Sequence, residues 1–280
     1  MDQSIEQLGQ DLARANYAQK TREAYVRAAQ ELSEHCGKPM VAVTRDDLRA
    51  FADSLQHAGM SPPRQARRLC AVLFLFRRTL GRPELVSFIK LPRRHSPLPS
   101  VLSLEEVHAL LRALRHRRYQ TLAMVMYGAG LRVSEAIALE VGDIDGSRGV
   151  VRVRHGKGNK AREAKLSPSL YQWLRQYWAR ERPPLPFLFA SPKTGKLPDL
   201  GTVRKALARA AKEAWIKKRV TPHVLRHSFA THLLDEGTDV HVVRELLGHA
   251  CINTTARYAR VTQKRVRETP SPLDLLPQRR

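Results

Sequence analysis

Residues 92–100 read PRRHSPLPS, with three prolines and two serines in nine positions. Proline fixes its own φ, lacks an N–H and biases the residue before it away from the helix, so neither a helix nor a strand runs through this stretch. It reads as an extended, semi-rigid linker. The chain has 280 residues, enough for a core on each side of such a break. The expected organisation is a domain over 1–91, the linker over 92–100, a second domain over 101–268 and a proline-containing tail over 269–280.

The first half reads as about four helices. A short one is expected around Ile5 to Leu12. Thr21 is placed to cap a second, whose stripe is Tyr25, Ala28, Ala29, Leu32 and Cys36, ended by Gly37 and Pro39. Thr44 opens a third, with Asp47 at its third position and a stripe of Leu48, Phe51, Ala52 and Leu55. Ser61-Pro62 starts the fourth, with Leu69, Leu73, Phe76 and Leu80 inward and a stop at Gly81. Its polar side carries Arg64, Arg67, Arg68, Arg77 and Arg78 with no acid between Arg64 and Leu80, a composition suited to contacting phosphates.

The second half is expected to be mainly helical with one β interlude. Ser103 and Glu106 form a capping box ahead of Val107, Leu110, Leu111 and Leu114. A buried helix over 119–127 breaks at Gly128-Ala129-Gly130, and Val133 to Leu139 restarts it. Residues 149–166 alternate around glycines as a β-hairpin does. Further helices are expected from Ser167-Pro168 to about Arg180, from Val203 to Trp215, after Thr221-Pro222, and around 240–247 and 254–261.

Lys and Arg number 49 against 26 acids, for a net charge of +23 and a pI near 10.8. Such an excess repels itself unless a polyanion neutralises it, which makes nucleic acid the first partner to expect. Residues 1–95 carry +6 of it and the remainder +17, so the charge is built into both halves. No apolar run approaches the roughly 18–20 residues that cross a bilayer, and MDQSIEQLGQ does not read as a secretion signal. Cys36, Cys70 and Cys251 are widely separated, which suits free thiols in a reducing cytoplasm.

Cutting a phosphodiester needs stabilised charge on the phosphate oxygens, a nucleophile and a proton for the leaving oxygen. The sequence has no HExxH, no paired cysteines and no tight cluster of acids. GKG at 156–158 lacks both the upstream glycine and the following Ser or Thr of a phosphate loop. No metal or other cofactor is therefore expected, and the work falls to fixed cations and a side-chain nucleophile. Four strings supply them in order. YGAGLRVSEAIAL places Arg132 at a helix start. HGKGNKAR places Lys157 at a hairpin tip. TPHVLRHSFATHLL places His223 and Arg226 three apart on one helix face. LLGHACINTTARYARV holds His249 and, nine positions later, Tyr258.

Together these strings resemble the catalytic boxes of the tyrosine recombinase family, which includes phage integrases and Xer-type recombinases. The resemblance spans Tyr127 to Val261, and the helical first half resembles the family's core-binding domain more loosely. It implies a mainly α fold with a small β-sheet: a helical, SAM-like DNA-binding domain and a mixed α/β catalytic domain, forming a C-shaped clamp around DNA. It further implies that Arg132 and Arg226 clamp the scissile phosphate, a task suited to a permanently charged planar fork. Lys157, in preference to nearby Lys160, would protonate the leaving 5′-oxygen, as a lysine can when crowded cations lower its pKa. His223 would assist proton transfer at the nucleophile, His249 would hydrogen-bond the phosphate, and Glu135 would orient the site from behind. His227 and His232, on the same helix as His223, are expected to be structural. Tyr258 would form a 3′-phosphotyrosyl bond, its phenol, of pKa about 10, activated by the cations and a base. Ala250, Cys251, Ala256 and Arg257 depart mildly from the family pattern.

The resemblance also implies a homo-tetramer on paired double-stranded DNA sites, a dimer on each, or a hetero-tetramer with a related recombinase, acting at the bacterial nucleoid. Leu273, Leu275 and Leu276, within Ser271 to Pro277, could dock on a neighbouring subunit. No insertion of the integron-integrase kind precedes Thr221, and an arm-binding domain like that of large phage integrases is not expected, which favours a compact Xer-like or mobile-element form. Two alternatives share part of the pattern: a catalytically silent site-binding protein, and a type IB topoisomerase-like enzyme. With phosphate contacts dominating the charge, affinity for duplex DNA should fall steeply with added salt in a fluorescence-anisotropy titration. A flat salt response would contradict the nucleic-acid reading.

Overall fold

The computed structural model describes residues 2–92, 100–154 and 161–248. The chain divides into two compact units, Met1–Ser96 and Pro97–Arg280, each with a hydrophobic core of its own. Both are mainly helical, and the second carries one small sheet.

In the first unit, α1 (Gln3–Arg14) is capped by Asp2, whose carboxylate accepts from the Ser4 N–H at 2.9 Å and from the Met40 N–H at 2.7 Å. One side chain thereby caps a helix and ties it to a distant turn. α2 (Gln19–Cys36) begins at an Ala18 cap, ahead of the expected Thr21, and ends on Gly37 in the left-handed region. α3 (Arg45–His57) has the Thr44/Asp47 capping box. α4 (Pro62–Phe74) starts with proline in its first turn and continues into a π-helical turn, Leu75–Thr79. Leu8, Leu12, Leu32, Leu48 and Val72, with Leu75 and Phe76 of the π-helical turn, are enclosed, so all four helices contribute to this core.

The second unit opens with α5 (Leu104–Ala113), which has the Ser103/Glu106 capping box, followed by α6 (Arg117–Gly128) and the short α7 (Val133–Ile137). The β interlude is larger than a hairpin. Ile144–Asp145 (β1) pairs antiparallel with Val150–Val153 (β2), which pairs antiparallel with Arg162–Lys165 (β3). Val151 and Val153 of β2 face Ala164 and Arg162 of β3, and this is the buried side. α8 (Pro168–Glu181) and α9 (Leu200–Glu213) follow. α9 starts three residues before the expected Val203 because Asp199 accepts from the Thr202 N–H and caps it there.

α10 (Pro222–Asp235) carries the LRHSFATHLL string and buries nine of its fourteen residues. A surface helix shows an apolar stripe and a polar face, whereas a helix buried on most sides runs through the core. α10 packs on α6 and on α11 (Val240–Leu247), and it therefore carries polar side chains such as Arg226 into the interior. His232 has a structural role, as expected: Nδ1 lies 2.9 Å from the Tyr127 hydroxyl and Nε2 lies 2.9 Å from the Leu102 carbonyl. Among the described residues no helix is long and apolar enough to cross a membrane.

Candidate active site

The site forms where the ends of α6 and α11, the start of α7 and the edge strand β3 converge on α10. Arg226 is 4% exposed. Its Nη1 donates to the Gly130 carbonyl and its Nη2 to the Leu247 carbonyl. Both acceptors follow from local chain geometry. α11 ends on Gly248, left-handed at φ 60°, which leaves the last carbonyls of the helix without intrahelical partners. α6 ends at Gly128, and Gly130 is left-handed at φ 62°. Arg226 thus places one cation on the last carbonyl of α11, at that helix's negative end, and on a loop carbonyl two residues after α6. Glycine is required at 130 for space as well as for φ, since a Cβ there would lie 2.5 Å from Phe229.

Arg132 caps α7. Its backbone N–H donates to Glu135 Oε2 at 2.8 Å and its Nη1 to Glu135 Oε1 at 2.6 Å, with a longer contact of 3.4 Å from Nη2 to the Gly248 carbonyl. The Glu135 side chain is 3% exposed and has a third arginine on it. Arg162 of β3 donates Nη1 to Oε1 at 2.9 Å and Nη2 to Oε2 at 2.8 Å, a planar fork on a planar carboxylate. Arg226 Nη1 lies 3.8 Å from Oε2. Three arginines and one carboxylate leave a local charge of +2. Burial alone would raise the Glu135 carboxyl. Hydrogen bonds from Arg162 and from the Arg132 backbone and side chain, together with the Arg162 charge, outweigh it and bring the group down to about 2.

His223 lies one turn before Arg226 on α10, solvent-accessible on one side. Partial burial, followed by the charges of Arg226, Arg204 and Arg132, pushes its imidazole below the ordinary histidine range. It lines a pocket of about 550 Å³ with Arg204, Lys212 and Arg219. The structure therefore brings Arg132, Glu135, His223 and Arg226 into one neighbourhood. Lys157, Lys160, His249, Tyr258 and the Ser271 to Pro277 segment lie outside the described residues. Of the arginines on α4 and the following turn, Arg64, Arg67, Arg77 and Arg78 are exposed. Arg68 is turned instead toward α2, its Nε and Nη2 on the Glu31 carboxylate at 2.5 and 2.9 Å.

The residue that the motifs did not single out is Arg162. Its signal was present in the alternation of β3. Arg162 shares a face with Ala164, and an arginine on the buried side of a strand needs a carboxylate.

The chain matches the model of the phage integrase family over residues 100–265 and that of the phage integrase N-terminal SAM-like domain over residues 5–84. It is 36% identical over 274 residues to a protein of Sinorhizobium fredii named as an integrase/recombinase, covering 97% of this chain and 89% of that one. It is 36% identical over 236 residues to the tyrosine recombinase XerA of Pyrococcus furiosus, covering 83% of this chain and 81% of the relative. In fold it is similar to the XerH site-specific recombinase, solved as a post-cleavage complex with palindromic difH substrate, at a TM-score of 0.75 and 22% identity over 96% of this chain and 85% of that one.

Because the Glu135 carboxyl sits at about 2 when folded and near 4.5 when free, it stabilises the fold fully above the free value, and this contribution is lost as pH falls toward the folded value. The difference corresponds to about 3 kcal/mol. Urea midpoints measured across that acid window should therefore fall less steeply in Glu135→Gln than in the unsubstituted protein, and the variant should be weaker at neutral pH. Identical pH curves for the two proteins would contradict the placement of this charge. The matched models, the relatives and the arginine node agree: the chain belongs to the phage integrase family, the tyrosine recombinases, a class of enzymes that cleave and ligate DNA.

Proposed function

We propose that this chain is a site-specific DNA recombinase that cuts and rejoins DNA through a 3′-phosphotyrosine at Tyr258, in integration, excision or resolution. The observation that carries the reading is the buried node of Arg132, Arg162 and Arg226 on Glu135, with its residual charge of +2. A phosphodiester carries one negative charge and its pentacoordinate transition state two. A rigid site of charge +2 therefore favours the transition state over the ground state. Arg132 and Arg226 are the cations assigned to the two non-bridging oxygens.

In the forward step the Tyr258 oxygen attacks phosphorus and the bond to the 5′-oxygen breaks. His223, held toward its neutral form by its surroundings, is suited to take the phenolic proton. Lys157 gives a proton to the 5′-oxygen, and His249 hydrogen-bonds the phosphate. The new phosphotyrosyl ester retains the bond energy, so attack by a 5′-hydroxyl rejoins the strand without a nucleotide cofactor. Residues 1–91 and 101–268 are assigned as the DNA-binding and catalytic domains, joined by the 92–100 linker and followed by the 269–280 tail. Arg64, Arg67, Arg77 and Arg78 are assigned to phosphate contacts. The working assembly is a tetramer on two duplex sites, a dimer on each, in the cytoplasm. DNA as partner is supported by the DNA complexes of structural neighbours.

The test is covalent capture. The protein is incubated in EDTA with a library of nicked duplexes of randomised core sequence, and the denaturation-resistant adducts are sequenced to give a selected duplex. Adducts should form with the unsubstituted protein and vanish in Tyr258→Phe, and two copies of the selected duplex should yield exchanged strands. DNA binding with no adduct on any duplex would overturn the reading in favour of a silent site-binding protein. Adducts without strand exchange would favour a topoisomerase-like enzyme.

A further inference from the structure

Arg162 does more than neutralise a buried acid. The Glu135 carboxylate has four hydrogen bonds: two from Arg162, one from the Arg132 side chain and one from the Arg132 backbone. Arg162 therefore occupies half of the acceptor capacity of the group that aims Arg132. The stem of Arg162 lies against Gly248, where a Cβ would come within 2.5 Å of the arginine Cδ. Gly248 is also the residue whose carbonyl contacts Arg132, and it immediately precedes His249 in sequence. Arg162 itself closes the lysine-bearing string HGKGNKAR, five residues after Lys157. The Arg162 Nε is buried with no hydrogen-bond partner among the described residues, so its side chain is held by the Glu135 fork and by packing alone.

We propose that Arg162 is a positioning residue for strand cleavage. By filling the two acceptor sites of Glu135 that Arg132 does not use, it fixes the carboxylate in the orientation that holds Arg132 and keeps it from turning toward Arg226, which stays on the Gly130 and Leu247 carbonyls. Without Arg162, two acceptor sites of Glu135 would be open, and the nearest cation not yet hydrogen-bonded to the acid is Arg226, whose Nη1 lies 3.8 Å away. The carboxylate would turn toward Arg226 and shift Arg132 with it. The inference rests on the recombinase reading, and adduct formation by the unsubstituted protein on the selected duplex reports on that reading separately.

Arg162→Ala and Arg162→Lys are compared with the unsubstituted protein. The lysine keeps a buried cation beside Glu135 but cannot fork. Single-turnover adduct formation should slow by about 10²-fold in Arg162→Ala and less in Arg162→Lys, with DNA affinity little changed. The acid limb of the pH–rate profile should move to higher pH in both, because Glu135 then protonates more readily. Millimolar guanidinium ion should partly restore Arg162→Ala. Cleavage at the unsubstituted rate in both variants would overturn the proposal. So would a rate loss matched by equal losses of folded protein and DNA affinity, with no change in pH profile.

A second, independent observation concerns the segment after α9. Trp215 is 91% exposed and sits at φ 55°, in the left-handed position after a helix end where glycine is usual. A bulky side chain there is strained, and its ring gains nothing from packing. Lys212, Lys217 and Arg219, within four residues of it in the chain, are exposed and form no ion pair among the described residues. The adjoining Ile216 lines the same pocket as His223. We infer that Trp215 lays its indole against the deoxyribose backbone of the bound duplex, beside phosphates held by these cations. Cations with no ion pair among the described residues, set beside an exposed ring, match the phosphates and deoxyriboses of a duplex backbone better than an acidic or apolar protein surface.

Adding the selected duplex should change tryptophan emission in the unsubstituted protein and not in Trp215→Phe on the same scale. Trp215→Gly should bind the duplex more weakly with the same salt slope, whereas Lys217→Ala should lower the slope. Equal emission changes, or equal affinity in Trp215→Gly, would overturn the inference. Self-association lost in Trp215→Gly with DNA affinity intact would assign the ring to a second copy and overturn it too. Adduct formation by the unsubstituted protein again reports separately on the recombinase reading.

Discussion

The second unit is organised around one buried carboxylate that holds three arginines. Isolated buried charge is costly, and cations packed together without an anion would repel one another and hydrate. Glu135 resolves this by accepting four hydrogen bonds, from the Arg162 fork and from Arg132. The arginines are then fixed in place before any phosphate arrives. That order matters for catalysis, because a site that is already arranged loses nothing to reorganisation in the transition state.

The fold delivers each member from a different element. α10 runs through the core and carries Arg226 inward, where the last carbonyl of α11 and the Gly130 carbonyl in the loop after α6 accept from it. Arg132 is the N-cap of α7, so the residue proposed to hold the phosphate is fixed by the start of a helix. β3 pairs with β2 so that Arg162 falls on the buried face. A substitution that seems to touch only packing, such as one at Gly130 against Phe229, would therefore move a guanidinium as well.

Much of this was legible in the sequence. Capping boxes at Thr44 and Ser103, the Ser167-Pro168 and Thr221-Pro222 starts, and the glycine stop at Gly37 each have a local physical cause and appear where that cause puts them. Arg132, Glu135, His223 and Arg226 were found because their spacing is set by one helix turn or by one motif. What was not legible depends on contacts between distant segments. The ion pair of Arg68 with Glu31 spans 37 positions and removes one arginine from an otherwise open face. Arg162 lies 27 positions from Glu135, and only the strand alternation hinted that it turned inward. The extra strand β1 is two residues long, too short for periodicity to reveal.

The most direct measurement is the structure of the covalent adduct trapped on its selected duplex. Arg132 and Arg226 should lie on the two non-bridging oxygens of a phosphate esterified to Tyr258, with the Arg162 fork still on Glu135. A phosphate held by other side chains, or a Glu135 carboxylate turned from Arg162 onto the two clamp arginines, would contradict the assignment.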